Sequence, residues 1–570
     1  MRRKDFIQWL GVAVLGICAL LVMFFAIRTA RRGNFSLEER GTEESWQDIP
    51  EGRVENVYIE SCGGGEITFW YQGRRISLAG TLADSYTGVA DLEILDGEIL
   101  EVSAKPEVIE GILDSYTEST VQVSGFEVLN YAGELPVYVL PAAADAEAEK
   151  QMSQKALTDL VIGTSRIQLV VANGEACAVI QHSRDVYENV RVLIKNKTKL
   201  TYEKLYLTSD KAYQAKDKER KAKQAVSAAK LLKGCETGDE VRISSPKGLL
   251  YLCDKEGNLK GDGYEGDFLV RKCEDGYVLV NEVPIEAYLR YVLPSEMPTY
   301  FSFEALKAQA VCARTFAYKQ MQENTYAAYG ANLDDSTSFQ VYHAVGTYEI
   351  TDKAVSDTEG LVLTEKGKLI DCYYYSTGSG YSENLEVWNA KSPGYLVAEN
   401  HTKEKTVDLS DTEQFHSFIS AAPAAYDEDS PYYRWSAQLS AKLGMDEKYG
   451  RLKKLRVNER SSSGYILSLT VVFEEGERTY EKENDIRFAL GKYVSSVTLA
   501  DGTVRNAFGS VPSACFEVVS QKDGEILLQG GGFGHGIGMS QYGADRLGQE
   551  GKSWQEILAF YYKGTEITAK

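Results

Sequence analysis

The sequence predicts an α+β protein in which a single transmembrane helix is followed by β-rich N-terminal modules and then a C-terminal α+β domain. Three observations carry this reading. An uncharged apolar run, Phe6 to Ile27, opens the chain. Short alternating strand-like runs broken by Gly and Asp turns follow it, and helical periodicity first sets in near Ile285.

The apolar run lies between Arg2, Arg3, Lys4 and Arg28, Arg31, Arg32. At about 1.5 Å per residue it covers roughly the 30 Å of a bilayer core. It exceeds a signal peptide's apolar region, which is usually about 7 to 15 residues and ends at small side chains. An uncleaved anchor over residues 1–33 is therefore expected. Basic residues flank both ends, so charge alone leaves the orientation open.

Residues 34–155 read as a linker and a β-rich module, with strands around Val57-Tyr58-Ile59, Glu66 to Trp70 and Leu92 to Leu95. Ala142 to Lys155 reads as a connector or short helix. Residues 156–239 read as a second β-rich module, with Arg166 to Val171 entering an Asn173-Gly174 turn and Val190 to Ile194 after it. Its basic stretch, Lys195 to Lys233, reads as a solvated helix from Lys211, or as a patch for anionic wall polymers or lipid heads. Residues 240–570 form the expected C-terminal α+β domain. It starts with strands at Val241 to Ile243, Phe268 to Val270 and Tyr277 to Val280. Helices at Ile285 to Val292 and Phe303 to Met321 follow, the second capped by Ser302. A capping box at Ser553 to Glu556 starts the last helix, and Gly564 is placed to stop it.

With 570 residues, 44% hydrophobic and 25% charged, the composition is that of a folded protein of two or three units. A net charge of −21 argues against general nucleic-acid binding, which needs a basic footprint. Nine cysteines without a C-x-x-C pair give no zinc site or disulfide framework. Cys312, in a helical pattern, reads as a small core residue.

Four segments carry chemistry. Pro294-Ser295-Glu296-Met297-Pro298 brackets a glutamate between prolines, in an expected loop between two helices. Apolar neighbours there would raise its pKa toward the range useful for proton donation; a glutamate that only caps the next helix is the plainer alternative. On that next helix Lys307 and Arg314 share one face. They are placed to hold a substrate carboxylate or balance Glu296, or to be ordinary surface residues. Tyr373-Tyr374-Tyr375-Ser376-Thr377-Gly378-Ser379-Gly380, with Glu383, Glu386 and Trp388 beyond, offers rings and hydroxyls suited to sugars, or else a half-buried strand. Gly530 to Ala544 sets seven glycines around His535, as a functional loop or a glycine-rich structural turn. Its spacing does not fit G-x-G-x-x-G. Arg546 stands where a P-loop ending in Gly551-Lys552-Ser553 needs glycine. Thr377 removes Ser379 from a G-x-S-x-G elbow.

Taken together, these blocks resemble the SpoIID/LytB family, the stage II sporulation protein D group of bacterial wall proteins. The carriers are Leu293 to Pro298, Glu304 to Val311 with Ala313-Arg314-Thr315, Gln340-Val341-Tyr342, Tyr375 to Gly380 with Val387-Trp388, and Gly534 to Ala544. They lie within residues 240–570 and leave the N-terminal modules unexplained. The resemblance implies a lytic transglycosylase that cuts glycan strands, preferably ones stripped of stem peptides by a partner amidase, without a cofactor. Some family members are described instead as amidase enhancers.

By resemblance Glu296 is the catalytic glutamate and Arg314 a basic residue of the same site. Lys307, Gln340, Tyr342, Tyr375, Ser376, Thr377, His535, Ser540, Gln541 and Tyr542 are the candidate substrate contacts. A lytic cut can use one glutamate, whereas a hydrolase normally pairs two carboxylates about 5 to 9.5 Å apart; Glu383 and Glu386 qualify as a second one only if folding brings them near. Some relatives carry a cysteine and histidine cluster before the Gln-Val-Tyr block. Here Asn332 to Phe339 holds no cysteine, so no metal is expected. Such a substrate puts the bulk of the chain on the extracytoplasmic side of the membrane.

Overall fold

The computed structural model describes residues 52–82, 85–141, 152–182, 187–216, 218–342, 346–506 and 509–570. The expected anchor at 1–33 and most of the 142–155 connector lie outside them. Among the described residues, no helix is long and apolar enough to cross a membrane.

The chain is mixed and strand-rich. Gly52–Gly63, Glu66–Tyr71, Arg74–Ala79, Glu98–Ala104 and Gly88–Leu95 close a barrel, in that spatial order. Their alternation puts Val57, Ile59, Ile67, Phe69, Leu92 and Ile94 inside. A seven-stranded sheet follows, ordered Ser153–Lys155, Val137–Val139, Glu175–Gln181, Arg166–Ala172, Val108–Tyr116, Thr120–Val123, Leu129–Asn130. The Asn173-Gly174 turn forms as expected, with both residues at positive φ and Ala172 opposite Glu175.

The expected division at 155/156 falls inside this sheet. Val108–Tyr116 pairs with Arg166–Ala172, and Val137–Val139 runs parallel to Glu175–Gln181, so non-local ladder bonds join the two halves. The division at 239/240 fares the same way. Asn189–Leu193 pairs with Gly276–Pro284 in a second seven-stranded sheet, ordered Lys218–Arg220, Tyr213–Ala215, Glu240–Ser244, Asp267–Cys273, Gly276–Pro284, Asn189–Leu193, Leu333–Asp334.

The basic stretch is not the helix expected from Lys211. Tyr213–Ala215 and Lys218–Arg220 form a hairpin, and only Ala228–Leu231 (α1) is helical. Tyr213 and Ala215 point into the core while Gln214 faces outward, a period of two.

The two large sheets meet across a buried ionic cluster. Asp114 pairs with Arg191 at 2.7 Å and with Arg271, and each of the three side chains is 3% exposed. Glu282 takes Arg191 at 2.7 Å, and Glu240 takes Arg271 at 3.1 Å.

Ile285–Glu296 (α2), Phe303–Glu323 (α3) and Glu349–Asp357 (α4) come next. Ala305, Ala308, Ala310, Ala313 and Ala317 let neighbours approach α3 closely, and it is the hub of this region. Ser302 caps it by accepting from the Ala305 amide at 3.4 Å. At its other end Asn324 adopts the left-handed conformation, and its side chain accepts from the Ile162 amide of the preceding sheet at 3.1 Å. A five-stranded sheet follows, ordered Val504–Asn506, Val494–Leu499, Trp435–Ser440, Glu525–Gly530, Phe516–Lys522; Thr412–Ala421 (α5) reaches it through His416 and Glu517, and Glu483–Gly491 (α6) lies against Ile466–Phe473 of a separate three-stranded sheet. Gln541–Gln549 (α7) and Trp554–Tyr561 (α8) pack back onto α3. The Ser553 capping box forms as expected.

Candidate functional site

Glu296 is the last residue of α2, not part of a free loop. Pro294 sits within the final turn, and Met297 leaves it in an extended conformation with its amide still bonded to the Leu293 carbonyl. The helix thus carries the glutamate to its end and turns away. Beneath it Leu293 and Met297 are buried.

Glu296 is half-buried, and its carboxyl accepts a 2.5 Å hydrogen bond from the Val341 amide. Burial pushes its pKa up to about 7, against the opposing pull of that amide. The Tyr288 and Tyr374 hydroxyls lie close enough to feel its charge. Burial chiefly, and then Glu296, pushes both well above the usual phenol range.

Gln340 joins these two tyrosines. Its side-chain oxygen accepts from the Tyr288 hydroxyl at 3.1 Å, and its amide donates to the Tyr374 hydroxyl at 3.1 Å and the Ala313 carbonyl at 3.2 Å. With Gln340 anchored, the Val341 amide is aimed at the carboxyl. Tyr342 is buried one step further in, donating to Asn281 at 2.8 Å and packing on Tyr264, Tyr288 and Tyr291. Gln340 and Tyr342 therefore support the site from below rather than face a ligand.

The glycine-rich C-terminal segment closes the other side. Met539–Ser540 runs parallel to Tyr374–Tyr375, which is all that forms of the expected tyrosine strand. Gly538 makes this approach possible. It has φ +76°, and a Cβ there would run into the Tyr373 carbonyl oxygen. Ser540 then caps α7, and Gln541, the first residue of that helix, donates to the Glu296 carbonyl at 3.0 Å.

Ser376, Thr377, Ser540 and Tyr542 gather around a residue that the sequence did not single out. Asp427 is fully buried, accepts from the Gly378 amide at 2.7 Å and is hydrogen-bonded by the Ser540 hydroxyl. Burial pushes its pKa up to about 6, opposed by those donors. The Tyr542 amide donates to the Ser376 carbonyl at 3.1 Å. The Thr377 and Ser430 hydroxyls lie 2.7 Å apart. Asp427 stands among Glu428 and Asp429 in an acidic loop that gives it no distinction in sequence, and only the fold reveals it as the tie between two distant segments.

Three expectations give way here. Arg314 is fully buried and turned from Glu296. Its guanidinium forks onto Glu286 at 2.7 Å through both Nε and Nη2 and also donates to the Leu361 and Val355 carbonyls. It neutralises the first turn of α2 and has no surface left for a substrate. Lys307, in the first turns of α3, pairs with Glu304 at 2.5 Å and lies over the Phe303 ring. Tyr375 is buried, and with Tyr373 and Trp388 it walls in His535 at ring-centroid distances of 5.1 to 6.3 Å. Burial pulls the His535 pKa down to about 3, so the imidazole is neutral, and its Nδ1 accepts from the Ile537 amide at 3.0 Å. These rings pack on one another.

Glu383 does not serve as a partner for Glu296. Its carboxyl is buried and bonded to the Ser461 and Ser463 hydroxyls and the Asn384 amide, and burial pushes its pKa up to about 7. Glu386 is exposed. The stretch before Gln340 is internally satisfied: Asp334 accepts from the Tyr326 hydroxyl at 2.7 Å and from Ser336, and pairs with Lys195 at 3.3 Å.

The family model for the stage II sporulation protein, SpoIID, matches residues 273–364, which contain α2, α3 and the Gln340 turn. A domain of unknown function, DUF8618, matches residues 382–503. The chain is 31% identical to the Stage II sporulation protein D of Bacillus subtilis (strain 168) over 305 residues, covering 51% of this chain and 76% of that protein. It is 31% identical to the same-named protein of Bacillus amyloliquefaciens over 310 residues, with 51% and 75% covered. Against the Amidase enhancer of Bacillus subtilis (strain 168) the identity is again 31%, over 298 residues that span 49% of this chain but only 40% of that protein. By the site it builds and the relatives it matches over three quarters of their length, this chain belongs to the SpoIID family.

Proposed function

We propose that this chain is a peptidoglycan lytic transglycosylase that cuts between N-acetylmuramic acid and N-acetylglucosamine in glycan strands freed of stem peptides. One observation carries the reading. The carboxyl of the half-buried Glu296, raised to about 7, is about half protonated at neutral pH and is therefore able both to give and to take a proton there.

A protonated Glu296 gives its proton to the glycosidic oxygen as the bond to the muramic C1 breaks. The muramic C6 hydroxyl closes onto C1, and its proton passes to the Glu296 carboxylate. The products are a 1,6-anhydro sugar end and a new free hydroxyl, and no water is consumed. Proton donor and acceptor are the same group, so the glutamate ends as it began. The Val341 amide would hold the carboxyl in orientation through both steps, and Gln541 would hold the helix end that bears it.

The setting we propose is cell-wall remodelling. The apolar Phe6 to Ile27 run would anchor the chain, with the bulk of it on the extracytoplasmic side where the glycan lies. A wall amidase that strips stem peptides would be the natural partner. The test is to incubate the full chain with denuded glycan strands and look for anhydro-muramic ends by mass spectrometry. Their formation, and its loss in Glu296→Gln, is the expected result; formation that survives Glu296→Gln would remove Glu296 from the mechanism.

A second reading is favoured by the relative named Amidase enhancer: the same surface binds glycan and stimulates an amidase without cutting. Stimulation of an added wall amidase by both the parent chain and Glu296→Gln, without anhydro product from either, would select it.

A further inference from the structure

Beside Glu296 the surface carries a ring that the core does not use. Tyr300, four residues after the glutamate, is 78% exposed, whereas its neighbour Phe301 is 2% exposed. The Tyr300 ring meets Phe301 edge-on, centroids 5.3 Å apart and planes at 78°. Phe301 meets Tyr542 in the same way, at 4.9 Å and 72°. The Tyr300 and Ser430 hydroxyls lie near that of Tyr542. The residue before Tyr542 is Gln541, which holds the Glu296 carbonyl. A buried phenylalanine and a second tyrosine thus fix an exposed ring on the turn that leaves the glutamate.

A solvated loop has no need of that arrangement. A large aromatic face left in water is unfavourable, and one already held in place loses little conformational freedom when something stacks on it. The rings that hold it, Phe301 and Tyr542, are uncharged. Asp545, which acts on Tyr542, accepts from the Ser302 amide at 2.6 Å, and the neighbouring Arg546 is paired with Glu428 and Asp429. A ring face with a hydroxyl beside it and its one neighbouring cation neutralised by carboxylates suits a neutral pyranose better than an anionic polymer.

We infer that Tyr300 and Tyr542 form a sugar-stacking subsite that takes a neutral N-acetylhexosamine ring of the same glycan strand that Glu296 addresses. This deepens the function proposed above and rests on it for the identity of the strand. The Tyr300 ring covers one pyranose face, and the Ser376 and Ser430 region borders the sugar hydroxyls.

Binding tests this separately from cutting. The full chain bearing Glu296→Gln, which leaves the ligand intact, is titrated calorimetrically with the β-1,4-linked tetramer of N-acetylglucosamine. Adding Tyr300→Ala is expected to weaken binding about tenfold, the consequence of losing one stacked ring. Adding Tyr300→Phe keeps the face and is expected to stay within about twofold, a few tenths of a kcal/mol. The melting temperature should be the same in all three, because Tyr300 is exposed. Equal binding by Tyr300→Ala would overturn the subsite, as would Tyr300→Phe binding as weakly as Tyr300→Ala, or no tetramer binding with the tyrosine intact. Absence of anhydro product alongside tyrosine-dependent binding would sink the cleavage reading and leave the subsite standing.

Discussion

The side-chain amide of Gln541 donates to the main-chain carbonyl of Glu296 at 3.0 Å, joining residues 245 apart in the chain. It meets one of the carbonyls that the end of α2 leaves without a helical partner, so the C-terminal segment caps the helix that bears the glutamate. The same amide lies 3.5 Å from the Gln309 side-chain oxygen on α3. Three segments distant in sequence therefore converge behind one carboxyl.

Gln541→Ala should leave the fold standing and loosen the glutamate. Losing one such hydrogen bond costs about 1 kcal/mol in stability, whereas a displaced acid costs up to about a hundredfold in rate. Glycan cutting by Gln541→Ala should thus fall ten- to a hundredfold in kcat with KM little changed and the melting temperature nearly held. A large melting shift with kcat intact would show that Gln541 serves packing alone.

The pH dependence follows from the raised Glu296 carboxyl. Its first step needs the proton, so cutting should fall about tenfold per pH unit above about 7. Stability carries the same sign. The folded chain holds this proton up to about 7, and the unfolded chain releases it near 4.5, so the contribution is full below 4.5 and lost as pH rises through 7. Calorimetry should find Glu296→Gln about 1 to 3 kcal/mol more stable than the parent at pH 8 and no different at pH 4. An equal difference at both values would mean that the carboxyl titrates normally.

Arg314→Ala should act on stability. It strands Glu286 and two carbonyls in a buried setting, at a cost of about 3 to 5 kcal/mol. Arg314→Lys should recover little of this, since an ammonium cannot reproduce the fork. Thermal melting checks it. Unchanged melting with raised KM would return Arg314 to the substrate.

The ionic cluster between the two large sheets should hold the N-terminal sheet in place. Asp114→Ala removes the carboxylate shared by Arg191 and Arg271 and should cost about 3 to 5 kcal/mol. Thermal melting should show this loss as a lower midpoint than the parent's. An equal midpoint would show that the sheets are held by other contacts.

Much of the site was legible locally. Apolar residues around Pro294-Ser295-Glu296-Met297-Pro298 foretold a raised carboxyl pKa, since burial disfavours charge wherever the chain takes it. Ser302, the Ser553 capping box and the Asn173-Gly174 turn are short-range devices, and they form where the spacing places them. Arg314 was misplaced because helical spacing gives a face and not the partner that meets it: Glu286 on α2 reaches it first. Asp427 had no local signature, because its role is made wholly by the Gly378 amide and the Ser540 hydroxyl.

By itself the sequence determined the family blocks, most strand and helix positions and the glutamate on which the proposed chemistry turns. These follow from periodicity, capping and side-chain type, which act within a few residues. The tertiary structure alone decided where the sheets divide, which rings are buried around His535 and which one, Tyr300, is left to solvent. Those outcomes depend on contacts between residues far apart in the chain, and burial is a property of what packs against a side chain rather than of the side chain itself.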